Sequence, residues 1–201
     1  MKVLIACEYS GRVREAFRAK GHDVWSCDLL PSEDNSPYHY CGDIFDILNQ
    51  NWDMMIAHPP CTYLTVSANK WFEDQPPRKS GALVGQARRD AREDAKEFFM
   101  KLMLATIPKI AIENPIGRMS TFYRKPDQVI QPWMFGHGET KGTCLWLKGL
   151  PKLIPTNIVE GREQIMYTKK GKPKGEPGWK FRSRTYQGIA DAMAEQWGNN
   201  P

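Results

Sequence analysis

Short apolar segments that end at turn residues recur along most of the chain. They occupy residues 3–7, 23–27, 54–57, 110–112 and 144–147. Stretches with a helical pattern separate them, and this alternation of strand and helix is typical of α/β proteins. The pattern therefore predicts a mostly parallel sheet with helices on both faces.

The helical stretches differ in their apolar content. In the last one, Ile189, Met193 and Trp197 recur at every fourth residue, so one helix face is expected to pack on the rest of the protein. Two segments have no such pattern and predict loops, one over residues 67–82 and a basic one over about 168–184. The predicted helices cover about residues 12–20, 82–105 and 185–198.

Length and composition limit the class of protein. A chain of 201 residues suits a single domain with appendages, so we expect one catalytic domain over residues 1–201. The five cysteines lack the spacing of a zinc site, which predicts reduced thiols and no metal.

No apolar run reaches the ~20 residues of a membrane span, and the start of the chain turns polar too soon for a signal peptide. We therefore expect a cytoplasmic protein without membrane contact, whose net charge of +5 weakly favours a polyanionic partner.

Chemically active side chains follow the ends of the predicted strands. Asp28 follows the segment 23–27, Cys61 follows Pro59-Pro60 after the segment 54–57, and Glu113 follows the segment 110–112. Ligands of open parallel sheets bind outside the carboxyl ends of the strands, which predicts one cleft for these groups. A lone cysteine of this kind is more often buried and inert, but a carboxylate is costly to bury without a partner. The carboxylate of Glu113 therefore favours the interpretation that Cys61 is a functional residue facing the same cleft.

The turn after the first strand contains a single glycine, Gly11. It lacks the G-x-G-x-x-G spacing of a dinucleotide site. Gly11 together with Asp28 suits a nucleoside cofactor, although the same pair is common in α/β proteins with unrelated ligands.

Taken in order, these segments resemble the motifs of the DNA cytosine carbon-5 methyltransferase family. The resemblance covers about residues 1–150. The sequence departs from the family at the glycine-poor first turn, at Thr62 after the cysteine, at Pro115, and in residues 139–143, where both arginines of a Gln-x-Arg-x-Arg motif are missing. The matching segments are Tyr9 to Gly11, Asp28, Gly42-Asp43-Ile44, Pro60-Cys61 and Glu113-Asn114.

The resemblance implies a Rossmann-like fold that binds S-adenosylmethionine (SAM). It further implies that Cys61 adds to carbon 6 of cytosine, while Glu113 acts at ring nitrogen 3 and Asn114 orients the Pro60-Cys61 loop. Lys141 is expected to supply positive charge to the base or phosphate. In the implied cofactor site Asp28 binds the ribose hydroxyls and Asp43 the adenine amino group. The full predicted cofactor set is Tyr9, Ser10, Gly11, Asp28, Leu29, Asp43, Ile44 and His58.

The implied substrate is cytosine in DNA, flipped out of the base stack. Fewer residues follow Cys144 than a separate target recognition domain needs, so we expect weak sequence preference, as in a compact enzyme of a phage or mobile element. The loop over residues 67–82 could close as a lid, and Trp179 and Phe181 could stack on bases. The predicted nucleic-acid contacts are Lys70, Arg78, Lys79, Lys169, Lys170, Arg182 and Arg184.

Other functions remain open at this point. The chain could be a non-catalytic SAM-fold protein that binds nucleic acid or a partner protein, or a methyltransferase acting on RNA or on a free pyrimidine nucleotide. A SAM-dependent amino-group methyltransferase would not need the thiol of Cys61. Loss of methyl transfer in Cys61→Ser, with SAM binding retained, distinguishes the carbon-5 mechanism from that class.

Overall fold

A single seven-stranded sheet forms the centre of the protein. The structure is a computed structural model that describes residues 1–164 and 176–199. The strand order is β3-β2-β1-β4-β5-β7-β6. The first five strands are parallel, while β7 is antiparallel to both β5 and β6. The strands are β1 (Lys2–Ala6), β2 (Asp23–Asp28), β3 (His39–Cys41), β4 (Met54–Ala57), β5 (Lys109–Pro115), β6 (Gln128–Ile130) and β7 (Thr143–Lys148).

The register of the parallel strands aligns their carboxyl ends. Ala6 at the end of β1 pairs with Cys27 of β2 on one side and with Ala57 of β4 on the other. Ala57 in turn pairs with Ile112 of β5. Residues that follow these positions in the chain therefore meet at one edge of the sheet, as the sequence predicted.

Helices cover both faces of the sheet, which explains why the central strands are apolar throughout. The helices α1 (Arg12–Arg18) and α5 (Gln187–Gly198) pack on one face, where Trp197 is fully buried. On the other face lies α2 (Gly85–Met103), whose Phe99 contacts Trp146 edge-on at 5.2 Å. Two short helices, α3 (Met119–Phe122) and α4 (Gly178–Ser183), complete the described helices. The α/β fold with a mostly parallel sheet is confirmed.

Short elements were not predicted from the sequence. The strand β6 has three residues, too few to show an alternating pattern. The basic segment expected as a loop over about 168–184 contains the six-residue helix α4, and the segment expected as a loop over 67–82 begins with a 3-10 helix, Val66–Phe72. The long helix expected over 82–105 is α2, which begins at Gly85 and ends at Met103.

Two properties of the described residues bear on function. None of the helices in residues 1–164 and 176–199 is long and apolar enough to cross a membrane. The same residues contain no group of three or more His, Cys, Asp or Glu side chains that could hold a metal ion.

Candidate active site

Cys61 lies in a tight turn beyond the end of β4. The backbone N–H of His58 donates to the carbonyl of Ala6 at 2.9 Å, so pairing with β1 continues one residue past the strand. The N–H groups of Leu64 and Thr65 both donate to the Cys61 carbonyl at 3.0 Å. Cys61 is partly exposed, so the turn presents its sulfur at the sheet edge.

Asn114 fixes the start of this turn. Its side chain is 1% exposed, and Nδ2 donates to the carbonyl of Pro59 at 3.0 Å. Asn114 belongs to β5, so the bond ties the Cys61 turn to the neighbouring strand. The contact agrees with the orienting role that the sequence resemblance implied for Asn114.

The carbonyls that follow Cys61 are each held by an arginine residue. Two donors are guanidinium groups of α2, and the third is a backbone N–H beyond β5. Successive carbonyls held in this way leave the turn little freedom to move. The bonds run from Arg88 Nη2 to Thr62 (3.2 Å), from Arg92 Nε to Tyr63 (2.9 Å) and from Arg118 N to Leu64 (2.7 Å).

Gly117 permits this close approach of the two loops. A Cβ atom at Gly117 would lie 2.1 Å from the Leu64 carbonyl oxygen and 3.1 Å from Cα of Thr65. Since both obstacles are backbone atoms, no side-chain rotation could relieve the overlap. The glycine of the Asn114-Pro115-Ile116-Gly117 segment is therefore required by packing against the Cys61 turn.

Glu113 faces the same site from β5. Its side chain is 20% exposed, and Oε2 lies 3.7 Å from Nδ1 of His58. Burial acts to raise the pKa of Glu113, but His58 and the positive charge of Lys141 outweigh it, and the pKa is lowered. Glu113 is thus an ionised carboxylate at neutral pH.

Cys61 lies within the electrostatic influence of this carboxylate. Burial, followed by the negative charge of Glu113, raises the pKa of Cys61, while Lys141 and Arg182 partly oppose the shift. The resting thiol is therefore protonated at neutral pH. Cys61 and Glu113 converge, as the strand ends predicted. Lys141, for which the resemblance implied a positive charge here, and Arg182, predicted as a nucleic-acid contact, both act on Cys61.

The other buried cysteines are poorer candidates for a nucleophile. Burial raises the pKa of Cys7, that of Cys27 to about 12 and that of Cys144 to about 11. None of these three has a cation among the causes that shift its pKa. Of these four cysteines, Cys61 is the one beside which the described residues place cations, Lys141 and Arg182, which partly oppose the rise of its pKa.

Lys141 links the site to the C-terminal part of the chain. Its backbone N–H donates to Gln131 Oε1 at 2.9 Å, and its ammonium group donates to the carbonyl of Arg182 in α4 at 3.0 Å. The helix α4 is also bound to the first turn, because the hydroxyl groups of Tyr9 and Ser183 are 2.8 Å apart. The C-terminal segment therefore closes over the sheet edge beside Cys61.

A cavity of about 210 Å³ adjoins the Cys61 turn. Two carboxylates lie in its wall, and each is oriented by a backbone N–H: Asp28 accepts from Leu30 at 2.9 Å and Asp43 from Phe45 at 3.0 Å. Burial raises the pKa of Asp28, against the effect of this hydrogen bond. The lining residues are Cys7, Cys27, Asp28, Leu29, Gly42, Asp43, Ile44, Pro60 and Phe98.

Four of the eight residues predicted for the cofactor line this cavity, namely Asp28, Leu29, Asp43 and Ile44. The sequence did not predict Cys7, Cys27 or Phe98. Cys7 could have been noticed as the residue directly after β1, and it adopts a positive φ of 58°. Phe98 belongs to the apolar face of α2, which by pattern alone is indistinguishable from core.

The first turn has a different arrangement from the one that the sequence suggested. Glu8 is buried and accepts from the N–H groups of Val13 (2.7 Å) and Arg14 (3.2 Å), so its carboxylate occupies the N-terminus of α1. Gly11 adopts φ 72° and precedes this helix. Tyr9, Ser10, Gly11 and His58 are not among the lining residues of the cavity, and their cofactor role stays a prediction.

The predicted nucleic-acid residues form two separate groups. Lys70 and Arg78 both stack on Trp71, at 4.7 and 3.8 Å from its ring centre, while Lys79 is exposed. Arg182 is exposed beside the site, whereas Arg184 is paired with Glu33 and Glu176. Lys169 and Lys170 lie outside the described residues.

A second, larger cavity of about 370 Å³ also has two carboxylates in its wall, Asp191 and Glu195, but no cysteine among its described lining residues. It lies between the C-terminal end of α1 and α5, away from the edge that holds Cys61. Alanines form much of its wall, and a salt bridge joins Lys20 to Glu195 beside it. The smaller cavity next to Cys61 is therefore the candidate site.

Comparisons with known proteins show the fold. No protein-family model and no curated protein matches the sequence. A solved structure described as a DNA modification methyltransferase encoded within a prophage of E. coli matches with a TM-score of 0.50 and 14% identity, covering 87% of this chain and 56% of that one. The Entamoeba histolytica methyltransferase EhMeth matches with a TM-score of 0.52 and 13% identity, covering 79% of this chain and 57% of its own. This chain has a Rossmann-like methyltransferase fold. It spans little more than half the length of either protein.

Proposed function

We propose that this protein is a SAM-dependent methyltransferase that modifies carbon 5 of cytosine in DNA through a covalent bond to Cys61. One observation carries the proposal: Cys61, Glu113 and Asn114 meet at the sheet edge beside a cavity whose wall contains Asp28 and Asp43. The methyltransferase fold supports the same conclusion.

The cavity suits the adenosine part of SAM. Oriented carboxylates accept hydrogen bonds from ribose hydroxyls or an adenine amino group, so Asp28 and Asp43 would hold these groups. Leu29, 77% exposed, and Ile44 provide apolar surface for the adenine ring. When bound, SAM supplies an electrophilic methyl group beside Cys61.

Cys61 activates the base by addition. Its sulfur forms a bond to carbon 6 while the electrons of the 5,6 double bond move towards ring nitrogen 3 and carbon 5. Glu113 stabilises the added base at nitrogen 3, and Asn114 keeps the turn in position. After methylation the carbon 5 proton leaves, the sulfur–carbon bond breaks, and the double bond is restored.

The resting thiol must lose its proton for this addition. Because burial raises the pKa of Cys61, only a small fraction of the group is thiolate at neutral pH. The positive charges of Lys141 and Arg182 partly oppose this rise. In a duplex the target base must leave the stack, because a side chain cannot reach ring carbon 6 of a stacked base.

The test is covalent trapping. Incubation with SAM and a DNA oligonucleotide containing 5-fluorocytosine blocks the final proton loss, so mass spectrometry should detect an adduct of protein, oligonucleotide and methyl group. Cys61→Ser should abolish the adduct and retain SAM binding, whereas Cys144→Ser, at a buried cysteine on β7, should form it normally. An adduct with RNA alone would transfer the proposal to RNA. Absence of any adduct on DNA, RNA and a free nucleotide, with SAM bound, would contradict the enzyme assignment.

A further inference from the structure

His58 is a buried histidine without a hydrogen bond. Its side chain is 8% exposed, and neither Nδ1 nor Nε2 has a hydrogen-bond partner among the residues that the structure describes. Buried polar groups in folded proteins are almost always paired, because an unpaired one costs free energy. A side chain that breaks this rule beside a candidate active site suggests a role in the reaction.

The position of His58 directs its ring towards Glu113. The backbone is held by the 2.9 Å bond to Ala6 and by the following prolines, so movement is confined to the side chain. Nδ1 lies 3.7 Å from Glu113 Oε2, beyond a hydrogen bond but within an ion-pair distance. A small rotation of either side chain would bring the two atoms into hydrogen-bond contact.

With His58 and Lys141 beside it, Glu113 is a poor proton donor in the resting site. Its pKa is below the ordinary value, so at neutral pH the carboxylate has no proton to give to nitrogen 3 of a pyrimidine. An imidazole exchanges protons in this pH range. Among the described residues, the titratable and charged groups around the pair are Cys61 after β4, Lys141 before β7, Cys144 in β7 and, acting on Cys61, Arg182 in α4.

We infer that His58 is a positioning residue that shares one proton with Glu113 and returns it after each transfer to ring nitrogen 3. The inference rests on the proposed function. As the Cys61 sulfur bonds to carbon 6, Glu113 passes the shared proton to nitrogen 3, and His58 and Glu113 are left without it. When the sulfur–carbon bond breaks, nitrogen 3 releases the proton to Glu113, and His58 Nδ1 holds it again.

Lys141 does not serve equally well as this proton store. Its ammonium group is bound to α4, because it donates to the Arg182 carbonyl at 3.0 Å. His58, whose Nδ1 lies 3.7 Å from Glu113 Oε2, is the group that can exchange a proton with Glu113.

The experiment measures single-turnover methyl transfer across pH for wild type and His58→Gln, with saturating SAM. Glutamine retains polar atoms but cannot titrate, so the rate at pH 7 should fall about 100-fold. The dependence of the rate on pH should also change, because glutamine cannot exchange a proton with Glu113. Saturating SAM keeps any effect of the variant on SAM binding out of the measured rate.

His22→Gln is the matched control. His22 also has a buried ring nitrogen, Nε2, with no hydrogen-bond partner in the described part of the chain, but it precedes β2 at the opposite edge of the sheet. Its rate and pH profile should equal those of wild type. His58→Asn serves as a second variant if glutamine does not fold, and thermal unfolding identifies that case.

The outcomes separate the two ideas. A folded His58→Gln or His58→Asn variant whose rate and pH profile equal those of wild type would overturn the role of His58 while leaving the methyltransferase proposal intact. Failure of wild type to methylate or to form the 5-fluorocytosine adduct would instead remove the proposed function, and the role of His58 with it. A reduced rate with a shifted profile, in the histidine variants alone, would support the shared proton.

Discussion

Replacement of Asn114 by alanine should weaken the protein and its chemistry together. Asn114 is 1% exposed and donates to the buried carbonyl of Pro59 at 3.0 Å. Alanine removes the donor, and the carbonyl remains inside the protein without a partner. Such a loss costs about 2 kcal/mol of unfolding free energy. In a protein of this size the melting temperature should fall by roughly 4–8 °C.

The effect on activity has a separate cause. Without the bond, the turn that presents Cys61 is held on one side only, by the donors from α2 and from the loop after β5. A shift of the sulfur by about 1 Å can cost about 100-fold in rate. Formation of the 5-fluorocytosine adduct by Asn114→Ala should therefore slow by roughly 10- to 100-fold.

The assay combines urea unfolding with the rate of adduct formation. Asn199→Ala is the control, because Asn199 is exposed and its Nδ2 contacts the carbonyl of Glu195 within its own turn. Its unfolding free energy should lie within about 0.5 kcal/mol of wild type. The reasoning is wrong if Asn114→Ala also lies within that range, or if it is destabilised but forms the adduct at the wild-type rate.

Three further predictions concern the site and its support. Gly117→Ala should destabilise the protein by about 1–3 kcal/mol in urea unfolding, because the added Cβ overlaps a backbone carbonyl of the Cys61 turn; wild-type stability would contradict this packing. Asp127→Asn should reduce the loss of stability at acid pH. Burial acts to raise the pKa of Asp127, but Arg124 outweighs it and the pKa is lowered. The ionised carboxylate therefore stabilises the folded state at neutral pH, and this stabilisation disappears as the pH falls through the carboxyl range. Thermal melts from pH 7 to about pH 3 should therefore show a flatter dependence in the variant, and parallel curves would argue against the pairing. Lys141→Met should raise the pKa of Cys61 further, because it removes a positive charge that lowers this pKa. Iodoacetamide should then label Cys61 more slowly at a given pH, as measured by peptide mapping. Unchanged labelling would show that the charge of Lys141 does not affect the sulfur.

Local patterns in the sequence identified the strand ends at which the candidate functional residues lie. The strands are mostly apolar because helices cover both faces of the sheet, so a polar residue at or just after the end of an apolar run is conspicuous. Asp28, Cys61 and Glu113 were found in this way, and Asn114 and Asp43 by the family resemblance. All five lie at the carboxyl edge of the sheet in the structure.

The same reasoning did not reach the first turn and the C-terminal segment. Glu8 was not singled out, because nothing in a sequence says whether a carboxylate points to solvent or caps a helix N-terminus. The helix α4 is too short to show a period, and its contact with Lys141 joins residues 41 positions apart.

The sequence by itself determined the alternation of strands and helices, the edge at which chemistry is expected, and the residue types available there, since apolar period and turn residues are local properties of a chain. Only the tertiary structure decided which side chains meet. His58 beside Glu113, α4 over the Cys61 turn and Phe98 in the cavity wall depend on strand order and helix docking. These contacts join residues distant along the chain, and their free energy comes from packing that no local pattern encodes.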